Sequence, residues 1–401
     1  MIPAPQAPGK KSSLAILMAA QISGMSLWFM SAAVLPDMTS EFSISASRQA
    51  FLSSAVQAGF VAGALCFAFL GLPDRLDPRR LFALCAVAAA LANASLLVSM
   101  PGGDLAIAAR FATGALLAGV YPVGLKIAVG WGKEDRGLLV GMLVGALTIG
   151  SASPHLLAIL GGADWRWAIS VASLAAFAGG LLVLAAGLGP YHASSGRFQL
   201  RAIGEAWMNR KVRLAYAGYL GHMWELYAMW AWIGLAASIS FQGWMGDSEA
   251  VAAGRLLAFG AIAAGGIACI IGGVFADRVG KETVAIIALI VSGSGAIATA
   301  LTFGGPPWLT VICILIWGAA ILPDSAQFSA LVADHSPPDK AGSLMTFQTA
   351  LGFALTFVTV QATPVLAGLL SWPGVFLIMS IGPLFGIFAM LRLKSLASVR
   401  S

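Results

Sequence analysis

Residues 273–282 read GVFADRVGKE, and residues 71–80 read GLPDRLDPRR. In each segment an Asp-Arg pair, at positions 277–278 and 74–75, follows one apolar run and precedes another. The two pairs lie about 200 residues apart, roughly half of the 401-residue chain. A repeat of that length in a membrane sequence indicates two related helical bundles. The pattern therefore favours a transporter.

The composition predicts a polytopic, all-α membrane protein. Hydrophobic residues make up 59% of the chain and charged residues only 10%, and the mean hydropathy is +0.88. Ordinary soluble domains carry about 25% charged residues. Apolar runs of about 20 residues recur from end to end, and each is long enough to cross a hydrocarbon core of roughly 30 Å. The alternating segments of about 10 residues that are typical of membrane barrels are absent from the sequence.

The apolar runs predict twelve membrane helices in two pseudo-symmetric six-helix bundles. A polar stretch at residues 190–213 follows the sixth run. It separates an N-terminal bundle (residues 1–189) from a C-terminal bundle (residues 214–401) and predicts a central loop between them. The twelve predicted spans are 14–35, 51–72, 81–100, 105–130, 138–160, 167–188, 214–238, 254–276, 283–303, 308–331, 344–370 and 374–391.

Lys and Arg are concentrated in the loops on one side of these spans, which predicts that both termini are cytoplasmic and that the protein lies in the inner (plasma) membrane. The net charge of +6 reflects this asymmetry. Contact with anionic membrane lipids accounts for it, so it gives no support to nucleic-acid binding. The residues expected on the cytoplasmic side are Lys10, Lys11, Arg75, Arg79, Arg80, Lys133, Arg136, Arg197, Arg201, Arg210, Lys211, Arg213, Arg278, Lys281, Lys340, Arg392, Lys394 and Arg400.

These features resemble the major facilitator superfamily, whose loop phrase runs Gly-x-Leu-Ala-Asp-Arg-x-Gly-Arg-Lys. The segment from Gly273 to Lys281 fits that phrase well. The first copy departs from it, because Leu70 stands at the opening glycine and Asp77-Pro78 replaces Gly-Arg. A further phrase, YPVGLK at residues 121–126, is similar to the nitrate/nitrite or cyanate permease-like branch. Members of that branch are expected to carry an Arg in the second span, and residues 51–72 contain none.

The resemblance implies that the two loop phrases form a cytoplasmic latch, in which an Asp near a helix end is held by charge-assisted hydrogen bonds. The latch residues would be Asp277, Arg278 and Gly273 in the better preserved copy, and Asp74 and Arg75 in the other. We therefore expect Asp277-Arg278 to matter more than Asp74-Arg75. The alternative is that these loops serve only as positive-inside signals.

A second gating interaction is suggested by the tenth span. Lys126, near the cytoplasmic end of the fourth span, and Asp324, in the tenth, are brought near each other by the repeat. We predict that they meet across the pseudo-twofold axis as an inner gate. The alternative is that each side chain is anchored at the membrane interface.

Charged residues inside spans are functional candidates because each is costly in a bilayer unless paired or hydrated. Glu225 lies near the middle of the seventh span, and His222 lies three residues before it on the same helical face. A low-dielectric interior favours the neutral form of a carboxyl group, so Glu225 can exchange protons there. The resemblance implies that the first, fourth, seventh and tenth spans line the cavity, which places both residues at a proton or solute site. The alternative is a structural pair with a neighbouring Lys or Arg.

Four further residues are candidates for solute contact. Arg110 resembles a fourth-span Arg that many family members place near the cavity, although it also lies close enough to the outer interface to snorkel there. Gln57, Trp224 and Tyr121 supply polar or aromatic groups inside spans. Contacts between helices are the alternative role for such side chains.

Together these features predict a secondary transporter that takes up a small polar or anionic solute with protons by alternating access. The alternative is a proton antiporter that exports drugs or metabolites, and a third possibility is a sensor or scaffold that no longer transports. An enzyme is not expected, since no nucleophile–base set, phosphate loop or metal-ligand spacing appears. We expect a monomer that interacts with a small-molecule solute, protons and membrane lipids, with no nucleic-acid partner, cofactor or metal.

Overall fold

The computed structural model describes residues 9–133, 135–162, 164–192, 199–337 and 339–398. Within these ranges the regular secondary structure is helical. Arg197 and Arg400, two of the basic residues expected on the cytoplasmic side, lie outside the described residues.

The first nine helices form what we call the N-terminal group. They are α1 (Lys10–Met25), α2 (Met30–Glu41), α3 (Ala46–Leu70), α4 (Leu72–Arg75), α5 (Pro78–Ala94), α6 (Asp104–Leu117), α7 (Tyr121–Val129), α8 (Arg136–Leu160) and α9 (Trp165–Leu182).

The remaining eight helices form the C-terminal group. They are α10 (Ile203–Met208), α11 (Arg210–Phe241), α12 (Asp247–Val279), α13 (Lys281–Thr302), α14 (Pro307–Ala320), α15 (Ser325–His335), α16 (Ala341–Met379) and α17 (Ile381–Ser398).

Ten helical stretches in the described part of the chain are long and apolar enough to cross a membrane, so this is a multi-pass membrane protein. The twelve predicted spans differ from these ten at two places. Helix α11 carries several charged residues and is not among the ten, and the last stretch, Ala341–Leu396, has 56 residues. Ser371, with φ 59°, interrupts that stretch. A straight helix of that length would extend about 84 Å, more than twice the hydrocarbon core.

Three other spanning stretches are broken, at residues 26–29 between α1 and α2, 118–120 between α6 and α7, and 321–324 between α14 and α15. Proline accounts for the last two, because Pro122 lies in the first turn of α7 and Pro323 lies inside the third break. A proline lacks the backbone N–H that would continue a helical ladder. Each break leaves carbonyl groups that need donors from elsewhere.

Within the N-terminal group, α3 and α6 approach so closely that their backbones touch. A Cβ atom added to Gly59 would lie 1.9 Å from the carbonyl oxygen of Phe111, and one added to Gly63 would lie 2.1 Å from that of Ala115. Small residues permit this spacing between membrane helices. Only glycine therefore fits at these two positions.

The two groups pack together mainly through α3 against α16 and α8 against α12. The start of α8 lies beside the last third of α12, where a Cβ on Gly141 would be 3.7 Å from Ile270. We call this end of the bundle the terminal end, because α1 begins and α17 ends there. Lys10 contacts Asp135, just before α8, and Lys394 contacts Thr283 in α13. The opposite end, where α2 ends and α9 begins, is the far end.

Candidate functional site

A buried ion pair joins the two groups at the far end. Arg255 in α12 donates from Nη2 to Oδ2 of Asp37 in α2 at 2.5 Å, and from Nε to the carbonyl oxygen of Ala33 at 3.1 Å. Ser54 in α3 also donates to Oε1 of Gln361 in α16 at 2.7 Å. The Arg255 and Asp37 side chains are only 8% and 10% exposed. These contacts hold the two groups together at the far end.

The ion pairs described at the terminal end each lie within one group. Lys10 pairs with Asp135 at 2.6 Å in the N-terminal group, and Lys281 pairs with Asp334 at 2.5 Å in the C-terminal group. Lys126 contacts Asp74 inside the N-terminal group. The described ion pair that bridges the groups is therefore at the far end, and those described at the terminal end stay within single groups.

The two Asp-Arg segments differ from the predicted latch. Asp74 is engaged by Lys126, whereas the side chains of Asp277 and Arg278 are exposed and make no hydrogen bond or ion pair with the residues that the structure describes. Arg75 is exposed too, and the space beside Gly273 is open. Lys281, not Asp277, holds the second loop. Asp277 lies in the last turn of α12, where the helix dipole disfavours a carboxylate.

The predicted contact between Lys126 and Asp324 does not occur in this structure. The Nζ atom of Lys126 donates to the carbonyl oxygen of Pro73 at 2.7 Å as well as to Asp74. The Oδ1 atom of Asp324 lies 2.9 Å from Nδ1 of His222 in α11. Each side chain has a partner within its own group, which accounts for the difference.

Glu225 is fully buried, but its carboxylate points into the C-terminal group and not into a wall shared by both groups. Its Oε1 atom accepts a hydrogen bond from Ser292 of α13 at 2.7 Å, and its Oε2 atom accepts one from Trp317 of α14 at 2.9 Å. Both donors are neutral, so the alternative of a pair with Lys or Arg is not present either. A carboxylate with only neutral donors can also be accommodated in its protonated form.

His222 lies one helical turn from Glu225 and reaches the break between α14 and α15. Its Nδ1 atom lies within ion-pair distance of Oδ1 of Asp324, although the two side chains are not aligned as a hydrogen bond. Both side chains are almost completely buried, and the imidazole packs near the rings of Tyr219 and Phe328. Glu225, His222 and Asp324 form a buried set of titratable groups that we call the 222–225–324 cluster.

Arg110 is completely buried and its guanidinium contacts the break between α1 and α2. It donates from Nη1 to the carbonyl oxygen of Leu27 and to Oδ1 of Asn93, both at 2.9 Å, and from Nη2 to the carbonyl oxygen of Trp28 at 2.5 Å. The break leaves those carbonyl groups without helical donors. Arg110 therefore neither snorkels to the interface nor presents its Nη atoms to a solute in this structure.

The other predicted contact residues have local polar partners or lie at a break. With its amide oriented to suit its neighbours, Gln57 donates to the carbonyl oxygens of Ser53 and Ser54 at 2.7 and 3.1 Å. Trp224 donates to the carbonyl oxygen of Ile378 at 3.0 Å and so joins α11 to α16. Tyr121 is half-buried at the first position of α7.

Comparison with known proteins identifies the family. The protein-family model of the Major Facilitator Superfamily matches residues 16–360. The chain belongs to the major facilitator superfamily. A search of curated proteins finds no match.

Two solved structures that resemble this superfamily member are themselves transporters. One is a mutant of the nucleoside transporter NupG, with a TM-score of 0.71 and 14% identity, and the other is the human organic anion transporter MFSD10 (TETRAN), with a TM-score of 0.67 and 15% identity. In both comparisons the match covers 96% of this chain and 100% of the other. At such low identity the likeness shows the fold alone. Family membership makes the protein a transporter and not an enzyme.

Sequence reasoning missed an aromatic contact between the two groups of this superfamily member. Trp28 and Phe60 of the N-terminal group lie 5.0 Å apart by ring centroids, and Phe60 lies 4.4 Å from Phe353 of the C-terminal group. Tyr227 lies 5.0 Å from Phe353. These rings come from four separate apolar runs, so no local pattern could have brought them together.

Proposed function

We propose that this member of the superfamily is a secondary active transporter that takes up a small polar solute, coupled to protons, by alternating access. The observation that carries the proposal is the buried pair between Arg255 and Asp37, which joins the two groups at the far end. The ion pairs described at the terminal end lie within single groups. A transporter that opens at one end while it is held at the other needs this kind of asymmetry.

In this proposal the chain crosses the membrane twelve times, with six spans in residues 1–189, a central loop at 190–213 and six spans in residues 214–401. Helix α11 is the seventh span, and Ser371 separates the eleventh span from the twelfth. Lys10, Lys281 and Lys394 lie at the terminal end, so the positive-inside bias supports a cytoplasmic location for that end and for both termini. We propose that the protein works as a monomer among the lipids of the inner membrane.

We propose that the 222–225–324 cluster binds the coupled proton. Two carboxyl groups and one imidazole are buried there within the C-terminal group, and the described polar partners of Glu225 are neutral. Ionisable groups inside membrane spans are costly and mark proton pathways. A carboxyl group in a low-dielectric interior resists being charged, which favours retention of a proton. Asp324 lies at the α14–α15 break, where a change in its charge can reach the helix geometry.

For the solute, we favour a polar molecule over an anion. The two buried guanidinium groups described here are Arg255, which is paired with Asp37, and Arg110, whose Nη atoms are taken by carbonyl and amide oxygens. The nitrate/nitrite or cyanate permease-like branch would require a cation in the solute path. Of the two similar structures, one is a nucleoside transporter and the other is an organic anion transporter.

Proton coupling is tested in proteoliposomes that carry an imposed pH gradient, with a panel of labelled polar solutes. We expect Glu225→Gln to abolish accumulation that depends on the gradient while solute exchange without a gradient continues. Asp247→Asn is the matched control, because Asp247 is an exposed carboxylate in the same group at the far end. Undiminished gradient-driven accumulation by Glu225→Gln would remove Glu225 from the proton site. Solute extrusion in response to an inward proton gradient would replace uptake with export.

A further inference from the structure

Several buried polar atoms at the junction of the two groups lack a hydrogen-bond partner among the described residues. They are Nε1 of Trp28, Nε1 of Trp230, both ring nitrogens of His155 and Oγ of Ser31. All four side chains are at most 3% exposed. Buried polar groups in proteins are almost always satisfied, so a set of unpaired ones requires an explanation.

Tyr227 and Gly234 of α11 link three of these side chains. The ring of Tyr227 lies 5.6 Å from that of Trp28 and 5.5 Å from that of Trp230. Ser31 lies three residues after Trp28, in the first turn of α2. A Cβ atom on Gly234, one turn beyond Trp230, would lie 3.6 Å from Cε1 of His155. The N-terminal group thus contributes Trp28, Ser31 and His155, and the C-terminal group contributes Trp230 and Tyr227.

The contacts of Arg255 define where the unpaired side chains of the α1–α2 region lie relative to the far-end ion pair. Arg255 holds the carbonyl of Ala33 and the carboxylate of Asp37, which follow Ser31 along α2. Trp28 and Ser31 therefore lie on the terminal side of the contact that closes the far end. A solute held there would be blocked from the far end and would contact both moving groups.

The chemistry of the groups selects the solute. An indole N–H is a donor only, and histidine and serine donate or accept, so the site calls for a solute with hydrogen-bond acceptors. The rings of Trp28, Tyr227 and Trp230 offer flat apolar faces for stacking. Arg255 is paired with Asp37, and the Nη atoms of Arg110 donate to neutral oxygens of its own group, so neither guanidinium presents an Nη donor to the set.

We infer that Trp28, Ser31, His155, Tyr227 and Trp230 form the solute site, and that it takes a small, neutral, planar heterocycle with carbonyl or ring-nitrogen acceptors. In this structure the side chains pack against one another, so solute enters when the groups separate at the terminal end. The inference rests on the proposed transport function and specifies its substrate class.

Calorimetric titration of the detergent-solubilised full chain tests the site without any ion gradient. The probes are uracil, orotate, which is the same ring with a carboxylate, and glycerol, which is neutral but not planar. We expect uracil alone to bind, and Trp230→Phe, which removes only the indole donor, to weaken its binding about 3- to 10-fold. Trp308→Phe is the matched control, because Trp308 is 63% exposed.

Three results would overturn the inference. Tighter binding of orotate than of uracil would refute the neutral class, and an equal affinity of Trp230→Phe and the unchanged chain for uracil would refute the site. Failure of uracil to bind would mean that the unpaired atoms bind only water. The transport proposal fails separately: normal uracil binding without accumulation in proteoliposomes would leave the site intact and refute secondary transport.

Discussion

Removing the Arg255 charge should open the far end. In Arg255→Met, the Asp37 carboxylate remains buried without its partner, and the carbonyl oxygen of Ala33 loses a donor. Both side chains are about nine-tenths buried, so the free-energy cost of removing Arg255 lies in the range for a broken buried ion pair, about 3–5 kcal/mol. Asp37 becomes hydrated when the far end opens, so most of this cost applies to the closed state. Since 1.4 kcal/mol changes an equilibrium constant about tenfold, the ratio of closed to open molecules should fall roughly 100- to 4,000-fold.

The assay is labelling of a cysteine placed behind the ion pair. Ser31 is 3% exposed and lies on the terminal side of the pair, so Ser31→Cys should react slowly with a membrane-impermeant thiol reagent applied from the far side. The native residues Cys66, Cys85, Cys269 and Cys313 are first replaced by Ala or Ser. Adding Arg255→Met should raise the labelling rate by at least a hundredfold if closure is as strong as the burial implies.

Two controls make the result decisive. Gln242→Cys, at an exposed far-end position, should be labelled equally fast with and without Arg255→Met. The exchanged pair Asp37→Arg with Arg255→Asp should restore slow labelling of Ser31→Cys, because it re-forms the attraction with the charges reversed. If Ser31→Cys reacts at the same rate whether Arg255 is present or not, the ion pair does not close the far end.

Two further predictions concern stability. Arg110→Gln should lower the free energy of unfolding in detergent by about 2–6 kcal/mol. The carbonyl groups of Leu27 and Trp28 lose their donor, and each unpaired buried group costs about 1–3 kcal/mol. An unchanged melting temperature would show that another donor takes the place of Arg110. The side-chain hydrogen bonds from Arg79 hold the pKa of Asp77 below its usual range. The Asp77 carboxylate therefore stabilises the fold fully above about pH 3.9, the usual pKa of Asp in an unfolded chain. That stabilisation is lost as the pH falls through the lower pKa of the folded state. Asp77→Asn should therefore flatten the acid side of a melting-temperature profile below about pH 4, and parallel profiles for the two proteins would contradict this.

The sequence was sufficient for the family and for the kind of fold, and the match over residues 16–360 confirms that level. Composition and run length predict membrane helices because a bilayer leaves the chain few other solutions. Helix breaks were harder to place. Pro323 and Pro122 gave a local signal, but the break at residues 26–29 contains no proline.

Side-chain direction inside the bundle could not be predicted from one sequence. Glu225 was recognisable as a membrane carboxyl group, but a helix that is apolar all round does not reveal which neighbour each face meets. Arg255 lies near the start of a span, where nothing in the local sequence indicates a buried pair, and its partner Asp37 is 218 residues away. Such partners are set by how helices pack, which no local pattern encodes.

The glycine contacts between α3 and α6 have a mechanical consequence. At Gly59 and Gly63 the backbones of α3 and α6 touch, and no side chains lie between them that could re-pack. We therefore expect α3 and α6 to move together as one rigid unit. Helix α3 also forms the junction with α16, so a force applied at that junction is transmitted through α6 to Arg110 and the break that it holds. A movement at the junction of α3 with α16 would thus displace the backbone at Trp28 directly.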